Sequence, residues 1–321
     1  MNIFVIGCGR WGSLITWYLD HIGHRVTLYG RSTSPKMQAF LATRQNDLLT
    51  LPESVALSTD LAAALDGAET VIISIGSQNL RSLLGQPELQ ALRERTVVLC
   101  MKGLEMGTGA RLSQIASECL HPSNAVAVWL GPGHVQEFYR GIPNCMVIDS
   151  GNDAVKRRLV QEFSSDLIRF YYGGDMIGNE VGAAAKNVVG IAAGFLDGVE
   201  MSSLKGALMS RGTREVARLI KAMGGNELSA YGLCHLGDYE ATVFSPYSHN
   251  RQFGESFIRH QDYHRLAEGY YTVEALMVLR EKHGVELPIC MAVHNILYES
   301  ADPRAELSGL LRRGLRAEFD D

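Results

Sequence analysis

Apolar residues fall into two regimes along this chain. Up to about residue 175, short runs rich in β-branched residues alternate with longer segments whose apolar positions recur at helical spacing. The runs lie at Asn2–Ile6 and Arg25–Tyr29, and around Val71, Val97, Val126, Met146 and Phe170. Such alternation predicts an α/β domain with a mostly parallel, doubly wound sheet. After Gly173-Gly174-Asp175 only helical patterning continues, broken at Gly224-Gly225, Pro246, Gly284 and Pro288. The expected organisation is a sheet domain over 1–175 and an all-α domain over 176–321. With 321 residues the chain is long enough for two cores. The abrupt change predicts a tight interface between them, with the active site there, at the carboxyl ends of the strands.

The first run leads directly into Gly7-Cys8-Gly9-Arg10-Trp11-Gly12 and then into an apolar helical stripe. Strand, G-x-G-x-x-G and helix is the context that a dinucleotide fingerprint requires, so the first domain reads as Rossmann-like. Gly7 permits the tight turn, Gly9 lets a pyrophosphate approach the backbone, and Gly12 lets helix and strand pack closely. The pyrophosphate is expected at the helix N-terminus. The second strand ends in Tyr29-Gly30-Arg31-Ser32-Thr33-Ser34, with no acid to accept from a ribose 2′-hydroxyl. Arg31 can pair with a 2′-phosphate, and the hydroxyls can add hydrogen bonds. NADP(H) is therefore expected over NAD(H); if Arg31 only stacks on the adenine, both serve.

A second region stands out, from Gly178 to Gly254. Lys186 lies in a run of small residues, with Gly182, Gly190 and Gly194 about one helical turn apart. Each glycine costs a helix interior about 1 kcal/mol relative to alanine, so the row implies that something approaches the backbone closely. One reading is a cleft in which Lys186 has a lowered pKa and does acid/base work. The other is a tightly packed helix pair with Lys186 reaching solvent.

Net charge is −5 with no basic block, which argues against nucleic acid or an anionic membrane as partner. The six cysteines are scattered without a C-x-x-C pair or a zinc-like spacing, so no metal is expected. They read as reduced thiols of a cytoplasmic protein. No basic segment followed by an apolar stretch opens the chain, so no signal peptide is expected. The longest apolar run, Val188 to Leu196, is too short for membrane insertion.

Taken in order, the motifs resemble those of the soluble bacterial NAD(P)-dependent glycerol-3-phosphate dehydrogenases, along nearly the whole chain. They are the fingerprint with Trp11-Gly12, Ile75-Gly76-Ser77-Gln78 with Arg81, Met101-Lys102-Gly103 and Gly131-Pro132-Gly133-His134. Ala185-Lys186-Asn187-Val188, Leu236-Gly237-Asp238 and Asn250-Arg251-Gln252-Phe253-Gly254 follow, then Glu268-Gly269, Leu311-Arg312-Arg313 and Glu318-Phe319. The resemblance implies reversible reduction of dihydroxyacetone phosphate to glycerol 3-phosphate, feeding glycerophospholipid synthesis. It implies Lys186 as catalytic acid/base, Lys102 as a second lysine holding the reacting oxygen, and Asp238 as the carboxylate that orients and balances them. Outside the resemblance, Asp238 is equally suited to capping a helix.

Further substrate contacts implied are Gly131, Gly133, Asn187, Thr242, Ser248, His249, Asn250 and Arg251. Cofactor contacts implied are Gly7, Gly9, Arg10, Trp11, Gly12, Arg31, Ser77, Lys102, Val135, His249 and Glu268, with Arg81 nearby. A homodimer and a phosphorylated triose or polyol as small-molecule partner are implied too. Two departures bear on the substrate. Gly133 stands where many relatives carry serine. Ser248-His249-Asn250 stands where relatives usually carry Ser-Arg-Asn, whose arginine grips the substrate phosphate. Three explanations are open: His249 binds phosphate more weakly, Arg251 takes over, or the substrate is another keto or hydroxy compound. A phosphate-binding His249 predicts affinity that falls as pH rises through about 6 to 8. A non-catalytic NADP-binding regulator is a further alternative, although it has no need of Lys102, Lys186, Asn187 and Asp238 together.

Overall fold

The computed structural model describes residues 1–312 and Glu318, so Arg313 and Phe319 lie outside the described residues. Eight strands form one sheet: β1 Asn2–Ile6, β2 Arg25–Tyr29, β3 Ala56–Ser58, β4 Thr70–Ile73, β5 Thr96–Leu99, β6 Ala125–Leu130, β7 Asn144–Ser150 and β8 Ile168–Tyr172. Their order is β3-β2-β1-β4-β5-β6-β7-β8, and every pairing is parallel except β6 with β7. The central strands β4 and β5 are buried at every position, as strands covered on both faces must be. The strand that the hydrophobic pattern missed is β3. It has three residues, none fully buried, and lies at the sheet's edge, so burial imposes no pattern on it.

Seven helices carry the rest of the account: α1 Arg10–His21, α2 Pro35–Thr43, α3 Met176–Gly198, α4 Lys205–Ala222, α5 His249–Ile258, α6 Glu268–His283 and α7 Pro288–Tyr298. The strand order reverses direction between β1 and β4, which places the turn into α1 at the crevice where such sheets bind ligands. The change from strands to helices falls between Tyr172 and Met176. That connection is pinned by carboxylates: Asp149 Oδ2 accepts from Asp175 N (3.0 Å) and Asn179 Nδ2 (2.9 Å), and Asp175 Oδ2 accepts from Asn226 N (2.9 Å).

Helix α3 is buried on nearly every side, from Gly178 to Leu196, and α4, α5 and α6 pack around it. A helix apolar all round is an interior helix, and its glycine row follows from that position. A Cβ on Gly194 would sit 2.1 Å from the carbonyl oxygen of Arg251, and one on Gly254 would sit 2.3 Å from that of Ile191. At Gly194 the two backbones cross in contact, so α5 is what approaches there, whereas Gly182 faces His235 and Gly190 faces Thr242. The helix-pair reading is therefore right about Gly194 and wrong about the lysine, because Lys186 is buried rather than turned to solvent.

Candidate functional site

The turn from β1 to α1 has the shape its glycines predict. Gly7 has φ +116°, in the left-handed region, and a Cβ there would lie 2.1 Å from the Ser74 carbonyl oxygen. A Cβ on Gly12 would lie 1.8 Å from the Gly7 carbonyl oxygen, so strand and helix touch. Gly9 caps α1 with no side chain bonding the first amides, and the space above it is open. Open space before unpaired amides fits a pyrophosphate.

In front of this turn lies a cavity of about 290 Å³, reached from both halves of the chain. Its lining includes Arg10, Trp11, Lys102, Gly133, His134, Val135, Lys186, Asn187, Asp238, Thr242, Ser248, His249, Asn250 and Glu268. Three buried polar atoms on these residues have no partner: Trp11 Nε1, His134 Nε2 and Asp238 Oδ1. Buried polar groups are rarely left unpaired, so a polar ligand fits here.

At the floor, Asp238 Oδ2 receives Lys186 Nζ at 2.7 Å and Lys102 Nζ at 2.8 Å. Asp238 is 1% exposed, and it balances two ammonium groups rather than capping a helix. Lys186 also donates to Thr242 Oγ1 (2.8 Å), itself held by the Asp238 carbonyl (2.7 Å), in a π-helical turn over Glu240–Phe244. Lys102 also donates to the Gly131 carbonyl. An ammonium has three N–H groups. Two are engaged on each lysine, and one on each is left for an oxygen in the cavity. Burial lowers the pKa of Lys186 to about 8; the Lys102 charge adds to this and Asp238 opposes it.

Asn187 and Asn250 line the cavity, but their amides are tied into a relay. Asn187 Nδ2 donates to the Lys102 carbonyl (2.7 Å), Asn250 Nδ2 to Asn187 Oδ1 (3.0 Å), and Gly269 N to Asn250 Oδ1 (2.9 Å). Ser248 Oγ caps α5 by accepting from Arg251 N at 3.3 Å. Gly133 has φ +134°, and a Cβ would lie 2.2 Å from Phe138 Cε2; the ring fills the place of a serine side chain. Glu268 accepts from both the backbone and the hydroxyl of Ser77, and burial raises its pKa. Ser77 thus holds Glu268 from behind and does not itself line the cavity.

Two expectations for arginines are corrected. Arg251 points away from the cavity and donates to Asp197 Oδ2 (2.8 Å) and Glu255 Oε2 (3.0 Å). Residues two apart on a helix differ by about 200° in direction, so a cavity-facing His249 turns Arg251 to the far side. Arg81 is bound to Glu105 and Glu118 on the surface, clear of the cavity. Arg31 is exposed just beyond β2, and Ser34 caps α2.

The expectation for His249 changes as well. Its Nε2 takes a short hydrogen bond from Arg10 Nη1, and burial, then the Arg10 charge, pushes its pKa down to about 4. A neutral ring does not titrate between pH 6 and 8, so the expected fall in affinity over that range does not follow. His134 also lines the cavity, edge-on to Tyr247, and is pushed to about 4 chiefly by burial. Sequence reasoning gave it no role, because no spacing marks a single histidine in a loop.

His235, behind Lys186, is fully buried and neutral: Nδ1 donates to the Gly182 carbonyl (2.8 Å) and Tyr239 donates to Nε2 (2.7 Å). Burial lowers its pKa to about 4 from an ordinary 6.5. Below pH 6.5 the unfolded chain takes up a proton that the native ring refuses, so stability is lost as pH falls from 6.5 toward 4. We expect about 2 kcal/mol of unfolding free energy to disappear between pH 7 and pH 5 from this ring alone. Urea titrations of wild type and His235→Gln should differ in pH slope by that amount; equal slopes would contradict it.

Comparison with known proteins bears on this geometry. A family model described as the N-terminus of NAD-dependent glycerol-3-phosphate dehydrogenase matches residues 2–156, and one described as its C-terminus matches residues 175–308. The Glycerol-3-phosphate dehydrogenase [NAD(P)+] of Thermus thermophilus is 36% identical over 99% of this chain and 100% of its own. That of Geobacillus kaustophilus is 33% identical over 100% and 97%. The crystal structure of glycerol-3-phosphate dehydrogenase from Coxiella burnetii superposes with a TM-score of 0.90 at 28% identity, covering 97% of this chain and 99% of that one.

Proposed function

The chain belongs to the NAD-dependent glycerol-3-phosphate dehydrogenase family, and on that premise we propose how its own residues carry out the interconversion of dihydroxyacetone phosphate and glycerol 3-phosphate. It is an NAD(P)-dependent oxidoreductase. The observation that carries the reading is Asp238 holding Lys102 and Lys186 on one oxygen, each with one N–H to spare, at the floor of a cavity that opens on the fingerprint turn.

The cofactor, when bound, supplies a hydride to the carbonyl carbon of the substrate. Gly7, Gly9, Trp11 and Gly12 would hold its pyrophosphate end, and Val135 and Glu268 lie where the remainder can reach. Both lysines direct their free N–H to the substrate's carbonyl oxygen. Charge developing on that oxygen is stabilised by two ammonium groups at the cavity's buried floor, where each is worth more than in bulk water. Lys186 then passes its proton to the oxygen, and a pKa near 8 makes it a competent donor at neutrality. Lys102 keeps its place on the Gly131 carbonyl and Asp238. Thr242 fixes the Lys186 rotamer, and the asparagine relay fixes the spacing of Lys102 from α3, α5 and α6.

We infer a preference for NADPH, because the end of β2 offers Arg31 and no carboxylate. Arg31→Ala is expected to raise KM for NADPH about tenfold and to leave that for NADH nearly unchanged; equal effects on both would point to adenine stacking. Six free cysteines support a reducing, cytoplasmic compartment. Among the described residues no helix is long and apolar enough to cross a membrane. A homodimer is proposed from the resemblance alone. The function itself is tested by NADPH oxidation with dihydroxyacetone phosphate beside phosphate-free dihydroxyacetone. Turnover of the ester alone is expected; tight NADPH binding with no turnover of either compound would move the chain to another substrate or to a sensor.

A further inference from the structure

Three cations line the cavity: Lys102, Lys186 and Arg10. The two lysines share Asp238 and serve the reacting oxygen, so a phosphate on the same substrate must find its partner elsewhere. His249 is not that partner. Its Nε2 accepts from Arg10, and its ring is further engaged by a hydrogen bond to the Leu266 backbone. Arg251 is committed to Asp197 and Glu255 outside the cavity.

Arg10 differs from all of these. Its guanidinium leans on neutral groups only, with Nη1 on His249 and Nη2 on Gln136 Oε1 at 3.2 Å. No salt bridge to it occurs among the described residues, although Asp47 and Arg265 lie near enough to act on it through space. A half-buried guanidinium supported by neutral acceptors keeps its full charge and several N–H donors for an incoming dianion.

We infer that Arg10, reaching across from the fingerprint turn, binds the substrate's phosphate, and that His249 is a positioning residue that presents the guanidinium through its neutral Nε2. The inference rests on the phosphorylated substrate proposed above. It accounts for the absence of a cation at residue 249: the charge is supplied from residue 10, at the opposite wall. It also ties substrate binding to the turn that holds the cofactor, since Arg10 is the first residue of α1.

The test measures, in Arg10→Ala, Arg10→Lys, His249→Leu and His249→Gln, the KM for dihydroxyacetone phosphate, competitive inhibition by inorganic phosphate, and NADPH affinity by fluorescence. Arg10→Ala is expected to raise KM and the phosphate inhibition constant about 10- to 100-fold, the worth of charge-assisted hydrogen bonds. NADPH affinity should stay within about threefold, which also shows that the variant folds. Arg10→Lys should recover part of the loss. His249→Leu should raise KM with little change in kcat, and His249→Gln, whose amide oxygen can accept from the guanidinium, should restore it. Weakened NADPH affinity with unchanged KM would overturn the inference and assign Arg10 to the cofactor's pyrophosphate. Unchanged values throughout would overturn it too, while leaving the proposed function standing. Wild-type protein that binds NADPH and fails to turn over the ester would remove both.

Discussion

Lys186→Met is expected to lower kcat for triose-phosphate reduction by about a thousandfold and to leave NADPH affinity nearly unchanged. Positioned acid catalysis typically contributes 10²- to 10⁴-fold, and loss of an oxyanion donor costs 10²- to 10³-fold. Lys186 does both, and Lys102 remains to retain part of the second effect. Methionine has a similar length and no charge, so burial in the interior of α3 does not oppose it. The wild-type pH profile is a second reading of the same residue. The proton donor is the ammonium, which persists below a pKa of about 8. Reduction should therefore be level below that pH and fall about tenfold per unit above it. Oxidation of glycerol 3-phosphate needs the free amine and should rise over the same interval. A reduction rate that stays level to pH 10 would exclude Lys186 as the donor.

Asp238→Asn is expected to cost both activity and stability. The carboxylate is 1% exposed and lies between two ammonium groups that no other acid among the described residues pairs with. Removing one member of a buried ionic set typically costs about 3 to 5 kcal/mol, because the charges left behind stay desolvated. Part of that cost is relieved if Lys186 gives up its proton, so its pKa must move below about 8. The sign is unambiguous, since an anion that favoured the ammonium is gone. The alkaline limb of the reduction profile should move toward neutrality, and kcat at pH 7 should fall by about 10²-fold. Calorimetry and a pH–rate profile on the same preparation test the two parts. A variant as stable as wild type with an unshifted limb would show that Asp238 carries no charge-balancing role.

Much of this was legible in the sequence wherever the signal is local. The fingerprint announces itself because six consecutive residues must satisfy one turn. Lys186 and its glycines stand out because a row of glycines in a helix demands a cause. Lys102 and Asp238 were reached through resemblance, since nothing in either neighbourhood says that they meet across 136 residues. The same holds for Arg10 and His249, which touch across 239 residues and belong to different elements. Arg251 was misjudged for the opposite reason, because adjacency in sequence is not adjacency on a helix face. Asn187 and Asn250 look like substrate ligands through the resemblance, and only coordinates reveal that their amides answer one another. Histidine ionisation was also beyond the sequence, because burial sets it and burial is a property of the whole fold.

The ring of Phe138 has a consequence for how this site can change over generations. It occupies the volume that a side chain at residue 133 would need, and Gly133 itself sits at φ +134°. A lineage carrying this pair cannot regain a serine hydroxyl there by one substitution, because the intermediate collides with the ring. Residues 133 and 138 must be exchanged together, or the aromatic must shrink first. The two positions are therefore epistatic: a side chain at residue 133 becomes possible only after residue 138 has shrunk.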